Sequence, residues 1–452
     1  MKALALLFIV LATTAITPWT SLAQIGTPVF SETAPRGRHL PRLTTSPNGR
    51  IVLTFAEKEG TKARYYVAVS DNAGRTFSAP QSIGLAEFGA AILQRQPYVV
   101  MDKNNTMHVV MEQPIHNNER ALHHQSSTDL GATWTMPVRI SAEPPARPQD
   151  FASIAVDENG SIYVSYISVL PSNSDGYTHI FLSRSDDGGL TWSREIRVDS
   201  FPVGGCCECC NQNIIIDANG DVVIAFRSNI MNRRDVHLTR SSDGGRTFST
   251  PQLIQSEPWM IDGCPGTGPS VAADTTGTLH VSWRDTRDSR YAGSCYYAAV
   301  PPNSTATPIN VLLNPPLGTD GEYPIVATDP SGMTVAMVYH SYDGVYLTER
   351  EMLPGRTTLS TQALANPCVS VVWHGSGFLS IWQEQRGSLS DIVSYRTDVV
   401  SSVANSKESV TVPCDAMLYF DLRGRIITQR LPNQVVFGVC TTPHTHQHSS
   451  PN

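Results

Sequence analysis

The sequence predicts an all-β protein: a seven-bladed β-propeller followed by a small C-terminal β module. Two repeats predict it. A turn pattern, Ser-x-Asp-x-Gly-x-Thr-aromatic, occurs at residues 70–77, 127–134, 185–192 and 241–248, with Asn72 standing where the others have Asp129, Asp187 and Asp243. Its copies begin 57, 58 and 56 residues apart. A second pattern, a short strand, a turn near Gly or Asn and then an alternating strand, occurs seven times. Its second strands fall at 51–57, 107–113, 162–168, 222–227, 279–285, 334–340 and 378–384, all rich in Val, Ile and aromatics. Strand-built repeats of this period are the mark of propeller blades.

Composition agrees. The chain has 452 residues, of which 40% are hydrophobic and 16% charged. That is enough apolar material for a large core and too little charge for a disordered or coiled-coil chain. The net charge is -7 and no basic run stands out, so nucleic acid is excluded as an expected partner.

Taken in chain order, residues 1–23 read as a signal peptide. Lys2 gives a positive start, residues 3–12 an apolar core too short to span a bilayer, and Ser21-Leu22-Ala23 a cleavage site before Gln24. No later segment is apolar enough to span a membrane, so the mature chain is expected to be secreted or held at the cell surface, where disulfides persist. Residues 24–402 are expected to form the propeller. In the repeated turn, the Asp or Asn side chain caps backbone N–H groups, Gly takes a conformation closed to other residues, and the aromatic packs beneath. Units one to four end in an outer strand such as 79–83 or 250–254; units five and six have equivalents near 308–313 and 357–361. Unit seven shows only three strands. Residues 27–32 copy the outer-strand pattern, so pairing them with unit seven would close the ring and remove a sheet edge.

The repeated turn resembles the Asp-box of the sialidase-like β-propeller superfamily. Catalytic sialidases of that superfamily have six blades, so six blades plus an extra unit is the alternative arrangement. Residues 403–452 are a linker and a β tail. Its stretches 417–427 and 434–439, with Asp421-Leu422-Arg423-Gly424-Arg425 between strands, resemble a type IX secretion sorting domain; a small hairpin packed on the propeller is the other reading.

In a propeller, the loops leading into each inner strand and out of each second strand surround one mouth of the central channel. Inlets supply Arg38, Arg95, Arg147, Asp150, Glu322 and Tyr323; outlets supply Glu57, Glu112, Arg227, Arg284, Asp285, His340 and Glu384. Several arginines at a mouth suit an anionic ligand, since the guanidinium fork matches a carboxylate; the same arginines could equally pair with Asp as ties between blades. Arg38, Arg95, Arg227, Arg284 and Asp285 are the candidate ligand-binding residues.

The resemblance to sialidases implies three Arg on the substrate carboxylate, a Tyr nucleophile activated by a Glu, and an Asp acid/base. Tyr323, in Glu322-Tyr323-Pro324, occupies a position like that nucleophile, with Glu322 or Glu57 as its partner. The family's Arg-Ile-Pro inlet appears here as His39-Leu40-Pro41, with Arg38 one place off, and the loop at 58–62 holds no Asp. The resemblance therefore implies a carbohydrate or other anionic ligand, with exo-acting hydrolysis as one outcome and a non-catalytic binding propeller as the other. The sequence names no cofactor.

Nine cysteines form a further signature. Cys206-Cys207-Glu208-Cys209-Cys210 leads into unit four and Gly263-Cys264-Pro265 into unit five. Cys295 and Cys368 also fall on the mouth side, and Cys414 and Cys440 flank the tail. Disulfides are the default in an exported chain. A thiolate metal or redox site built from Cys207, Cys209, Cys210 and Cys264 is the sharper alternative, and unpaired buried thiols the third. Inlet loops of consecutive units are neighbours, so Cys264 is expected to approach the 206–210 cluster. Some exported sialidase-like proteins share this Cys-x-Cys-Cys and Gly-Cys-Pro arrangement, which implies no assigned role.

Overall fold

A computed structural model describes residues 26–30, 37–60, 62–87, 97–114, 120–140, 149–170, 174–288, 293–313, 321–341, 343–349, 357–362 and 368–398, and short strands of the tail. The chain divides into two compact units, Met1–Val399 and Val400–Asn452. The leader lies outside the described residues, as do Arg95, Arg147 and Cys414.

Within the first unit, every sheet is antiparallel. Unit one is built from His39–Thr45, Ile51–Glu59, Lys62–Ser70 and Gln81–Glu87, hydrogen-bonded in that order. Six further four-stranded units follow the same plan among the described residues. The long second strands lie where the alternation places them; that of unit five, Leu279–Asp285, has the predicted bounds. Unit seven takes its fourth strand from the start of the chain. Thr27 pairs with Ser394 and Pro28 with Val393, and Val29 N–H donates to Ile392 O at 2.9 Å.

Alternation understates how deeply the second strands are buried. Ile162–Val169 and Val222–Asn229 are buried at seven of eight positions, and Val335–Ser341 throughout. Each sheet has a neighbour on both faces, so polar residues that a solvated face would expose, such as Ser165, Ser282 and Ser380, are buried as well. The cores lie between units. One joins units one and two through Val52, Val67, Val109 and Met111; another joins units seven and one through Leu53, Phe55, Leu379 and Ile381. Burying each such side chain stabilises by about 1.5–3 kcal/mol.

Units three and four are also bridged by a short strand, Gly205–Cys206, which pairs with Thr178 of unit three and with Ser228 and Asn229 of unit four. A Cβ on Gly205 would collide with the Thr178 carbonyl, so glycine alone fits there. This bridge delivers the chain into the cysteine-rich segment.

The four repeated turns join third strands to outer strands. In each, the Ser Oγ accepts the Gly N–H at 2.8–2.9 Å, and the Asp or Asn oxygen accepts the Thr N–H at 2.9 Å. Hydrogen bonds from Thr133 and Thr191 hold the carboxyls of Asp129 and Asp187 down to about 2. In the tail, Met417–Phe420 pairs antiparallel with Phe437–Cys440 and with Ile426–Ile427.

Candidate functional site at the channel mouth

The inner strands line a cavity of about 600 Å³, to which all seven units contribute; Arg42, Tyr98, Asn211, Thr267, Tyr323 and Cys368 are among its walls. Antiparallel order puts inlets and outlets at one end of this channel and the repeated turns at the other.

One backbone device recurs at the inlets. In units one, three and six, the inner strand opens on a β-bulge, between His39 and Arg42, Asp150 and Ser153, and Glu322 and Ile325. The second residue of each, Leu40, Phe151 and Tyr323, has φ of 58°, 58° and 51°. A left-handed non-glycine residue costs about 1–2 kcal/mol. Leu40 and Phe151 are buried in cores. Unit six uses the same bend to set a tyrosine on the channel wall.

Beside Tyr323 stands a charged pair. Arg284 Nη2 lies 3.3 Å from Glu322 Oε1, linking the outlet of unit five to the inlet of unit six. Burial and the Glu322 charge push the Tyr323 phenol up to about 12, and Arg284 opposes them. The phenol is therefore a neutral hydrogen-bond donor at physiological pH. Glu57 stands opposite Arg64 in the sheet register and is not among the main charges acting on Tyr323. The structure thus brings Tyr323, Glu322 and Arg284 together.

Three predicted ligand-binding residues prove to be built into the scaffold. Arg227 is buried, and its fork donates to the carbonyls of Arg234 at 2.6 Å, Arg284 at 2.8 Å and Thr267 at 3.4 Å, over the ring of Trp259. It faces backbone and holds the Arg284 carbonyl in place. Arg38 is buried between units one and seven, donating to Asp391 at 3.1 Å with its guanidinium over Phe30. Asp285 is fully buried and accepts from Trp283 Nε1, from the Arg287 backbone and from the Arg287 side chain. In all three, the alternative role as a tie between structural parts is the one realised.

One wall group was not anticipated. Arg42 sits with its guanidinium 3.4 Å from the Tyr98 ring centre. Burial lowers its pKa, against the fields of Tyr98, Cys368 and Tyr65. The Tyr65 phenol is pushed up by burial and by Cys368 and Glu112. Arg42 follows the bulge, and it and Thr44 are less buried than Pro41 and Leu43; the alternation of the segment alone carries no signal for that shift. His340, an expected outlet residue, pairs with Glu322 across the sheet. It is buried, among the described residues neither ring nitrogen has a hydrogen-bond partner, and burial lowers its pKa to about 4.

The cysteines gather as expected. Cys209 and Cys264 form a disulfide with Cα atoms 6.2 Å apart, tying the inlets of units four and five. Beneath it the sulfurs of Cys207 and Cys210 are 2.7 Å apart, and Cys207 Sγ is 3.6 Å from Cys209 Sγ. The Cys210 contact, with Arg227 and Arg234 nearby, lowers the Cys207 pKa, whereas burial raises that of Cys210. Cys207, Cys209 and Cys210 are close enough to share a metal ion, but Cys209 is committed to Cys264 here. Cys295 and Cys368 are buried outside this cluster.

Comparison with known proteins matches this architecture. Residues 93–258 fit the model of the BNR repeat-like domain. A comparison with curated proteins found no match. Among solved structures, a protein of unknown function from Dyadobacter fermentans is similar at TM-score 0.51 and 15% identity, over 82% of this chain and 97% of its own. The fold is a sialidase-like β-propeller. An ulvan lyase, a polysaccharide lyase bound to -[GlcA(1-4)Rha3S]-, is similar at TM-score 0.50 and 10% identity, over 83% of this chain and 95% of its own. A sialidase from Streptococcus pneumoniae aligns at TM-score 0.49 and 12% identity, over 71% of this chain and 68% of its own. Among the described residues, no helix is long and apolar enough to cross a membrane.

Proposed function

We propose that this exported propeller, its seven units forming seven blades, binds an anionic glycan at the channel mouth. Arg284 is the carboxylate-binding cation, and Tyr323 and Glu322 lie beside it. The observation that carries the reading is the Arg284–Glu322 pair next to a tyrosine held in a left-handed bulge. Strain of that kind persists where the surrounding structure imposes it, and it concentrates at functional sites. Arg227 holds the Arg284 carbonyl, so the cation is presented from a fixed backbone. A ligand carboxylate would compete with Glu322 for the Arg284 fork. The ulvan lyase of similar fold is bound to a glucuronate-containing chain, an acidic carbohydrate of the class proposed here.

Exo-acting hydrolysis of sialidase type is the stronger form of this reading, and the adjacency of Glu322 and Tyr323 favours it. A phenol near 12 is a poor nucleophile unless a base takes its proton as it attacks. Glu322, released from Arg284 by the ligand carboxylate, is the candidate base. A fluorogenic sialoside assay together with binding of carboxylated and neutral oligosaccharides tests both forms. Turnover that vanishes in Tyr323→Phe with an unchanged melting temperature supports hydrolysis. Selective binding without turnover supports a binding propeller. Equal binding of neutral and acidic sugars would overturn the anionic reading.

A further inference from the structure

We propose that the inlets of units four and five carry a movable disulfide: Cys207 and Cys210 form a buried dithiol that exchanges with the Cys209–Cys264 disulfide above it. This goes beyond ligand binding and does not depend on it.

Four sulfurs lie in two layers. Cys264 is exposed and Cys209 half-buried, whereas Cys207 and Cys210 are buried. Buried thiols have no external partner within reach, but Cys207 Sγ lies 3.6 Å from Cys209 Sγ and Cys210 Sγ 2.7 Å from Cys207 Sγ. The order Cys210, Cys207, Cys209, Cys264 is thus a contact chain from the interior to solvent. Exchange requires an attacking thiolate, an accessible disulfide sulfur and a leaving thiol that can be solvated. Arg234, held by Glu208 at 2.7 Å, and the fixed Arg227 supply positive charge near the attacking sulfur. The exposed Cys264 is the leaving thiol.

The steps balance within the protein. The Cys207 thiolate attacks Cys209 Sγ, the Cys209–Cys264 bond breaks, and Cys264 leaves as a thiolate that takes up a proton. Cys210, giving up its proton, then attacks Cys207 Sγ of the Cys207–Cys209 intermediate, and Cys209 leaves as a thiolate and is protonated. One disulfide and two thiols remain, with no external oxidant or reductant consumed. The covalent tie between two inlets 55 residues apart in sequence is exchanged for a link within one loop. The change occurs beside the mouth, since Asn211, next to Cys210, lines the cavity.

The experiment uses the full chain, titrated with dithiothreitol until one disulfide remains among these four cysteines. It is then quenched in acid, alkylated in denaturant and mapped by non-reducing peptide mass spectrometry. The expected result is two species, one with Cys209–Cys264 linked and one with Cys207–Cys210 linked, each at least about a tenth of the population. Cys210→Ala, which keeps the attacking sulfur and removes the resolving one, should accumulate the Cys207–Cys209 intermediate with Cys264 alkylated. Cys207→Ser should leave Cys209–Cys264 alone. The proposal is overturned if wild type yields only the Cys209–Cys264 species and Cys210→Ala yields no Cys207–Cys209 link. It is equally overturned if the isolated protein holds one soft metal ion on four reduced sulfurs.

Discussion

At one end of the sheets, four turns repeat the same hydrogen bonds, from Gly N–H to Ser and from Thr N–H to Asp or Asn, with nearly identical lengths. At the other end units one, three and six share an inlet bulge, but the side chains that the described residues present differ from unit to unit. Unit six places a strained tyrosine beside a charged pair, unit five ends in Arg284, and unit four contributes a layered set of thiols. The turns satisfy their polar groups locally, from residues within five positions of one another. The mouth satisfies its groups across units, as Arg227 does for Arg284, and leaves His340 unsatisfied. A repeated element that closes its own hydrogen bonds can be copied around a ring. One that depends on its neighbours is free to differ from unit to unit, and the candidate chemistry sits there.

This contrast can be broken at several points. The largest effect is expected at Arg227. Arg227→Ala leaves buried carbonyls of Thr267, Arg234 and Arg284 without their donor and should lower unfolding free energy by about 3 kcal/mol. Arg227→Lys should recover little, because one ammonium cannot reproduce the fork. Urea denaturation measures both; a small loss would mean that Arg227 is available to ligand after all. Next is Ser127→Ala in a repeated turn, which removes the acceptor of Gly131 N–H and a donor to Asp129. A loss of about 1–2 kcal/mol with ligand affinity unchanged is expected; a fall in affinity would break the division between the two ends.

His340→Leu should do the reverse and raise stability by about 1 kcal/mol, since an imidazole without partners is replaced by an apolar side chain. The gain should grow on acidification. His340 has a folded pKa near 4 against about 6.5 unfolded, so below about 6.5 the unfolded chain binds a proton the folded one does not. The stability that neutral His340 permits is lost between those values, and the variant escapes that loss. Melting temperatures at pH 7 and pH 5 check it. The smallest effect belongs to Asp129→Asn. The Asp129 carboxyl is held down to about 2 from an ordinary value near 3.8, so its contribution is complete above about 4 and fades as pH falls through 2. The variant should be slightly less stable at pH 7 and equal to wild type near pH 1.5, by thermal melts at both.

Much of the fold was legible because it is written in repeated residues. The alternating strand of unit five, the four repeated turns and the pairing of the stretch at 27–32 with unit seven follow from pattern alone. The inlet and outlet rule also led to Tyr323, Glu322 and Arg284. The rule locates the end of a strand but not the side to which a side chain projects. Arg38, Arg227 and Asp285 therefore stood as ligand-binding candidates although each turns into an interface between parts. Arg42 escaped because the bulge at 39–42 shifts which positions face the channel, and a bulge depends on backbone pairing across the sheet that no single segment encodes. The cysteine neighbourhood was readable from the order of the units. Which sulfur pairs with which was not, since four sulfurs within reach of one another permit several partners.

The most direct test of the account is a calorimetric titration of wild type and Arg284→Ala with a carboxylated oligosaccharide and its carboxyl-reduced counterpart. The account predicts that wild type binds only the acidic sugar, and that Arg284→Ala weakens that binding by at least about tenfold, the scale of one charge-assisted hydrogen bond lost, with little change in melting temperature. Undiminished affinity in Arg284→Ala, or equal affinity for both sugars, would contradict it.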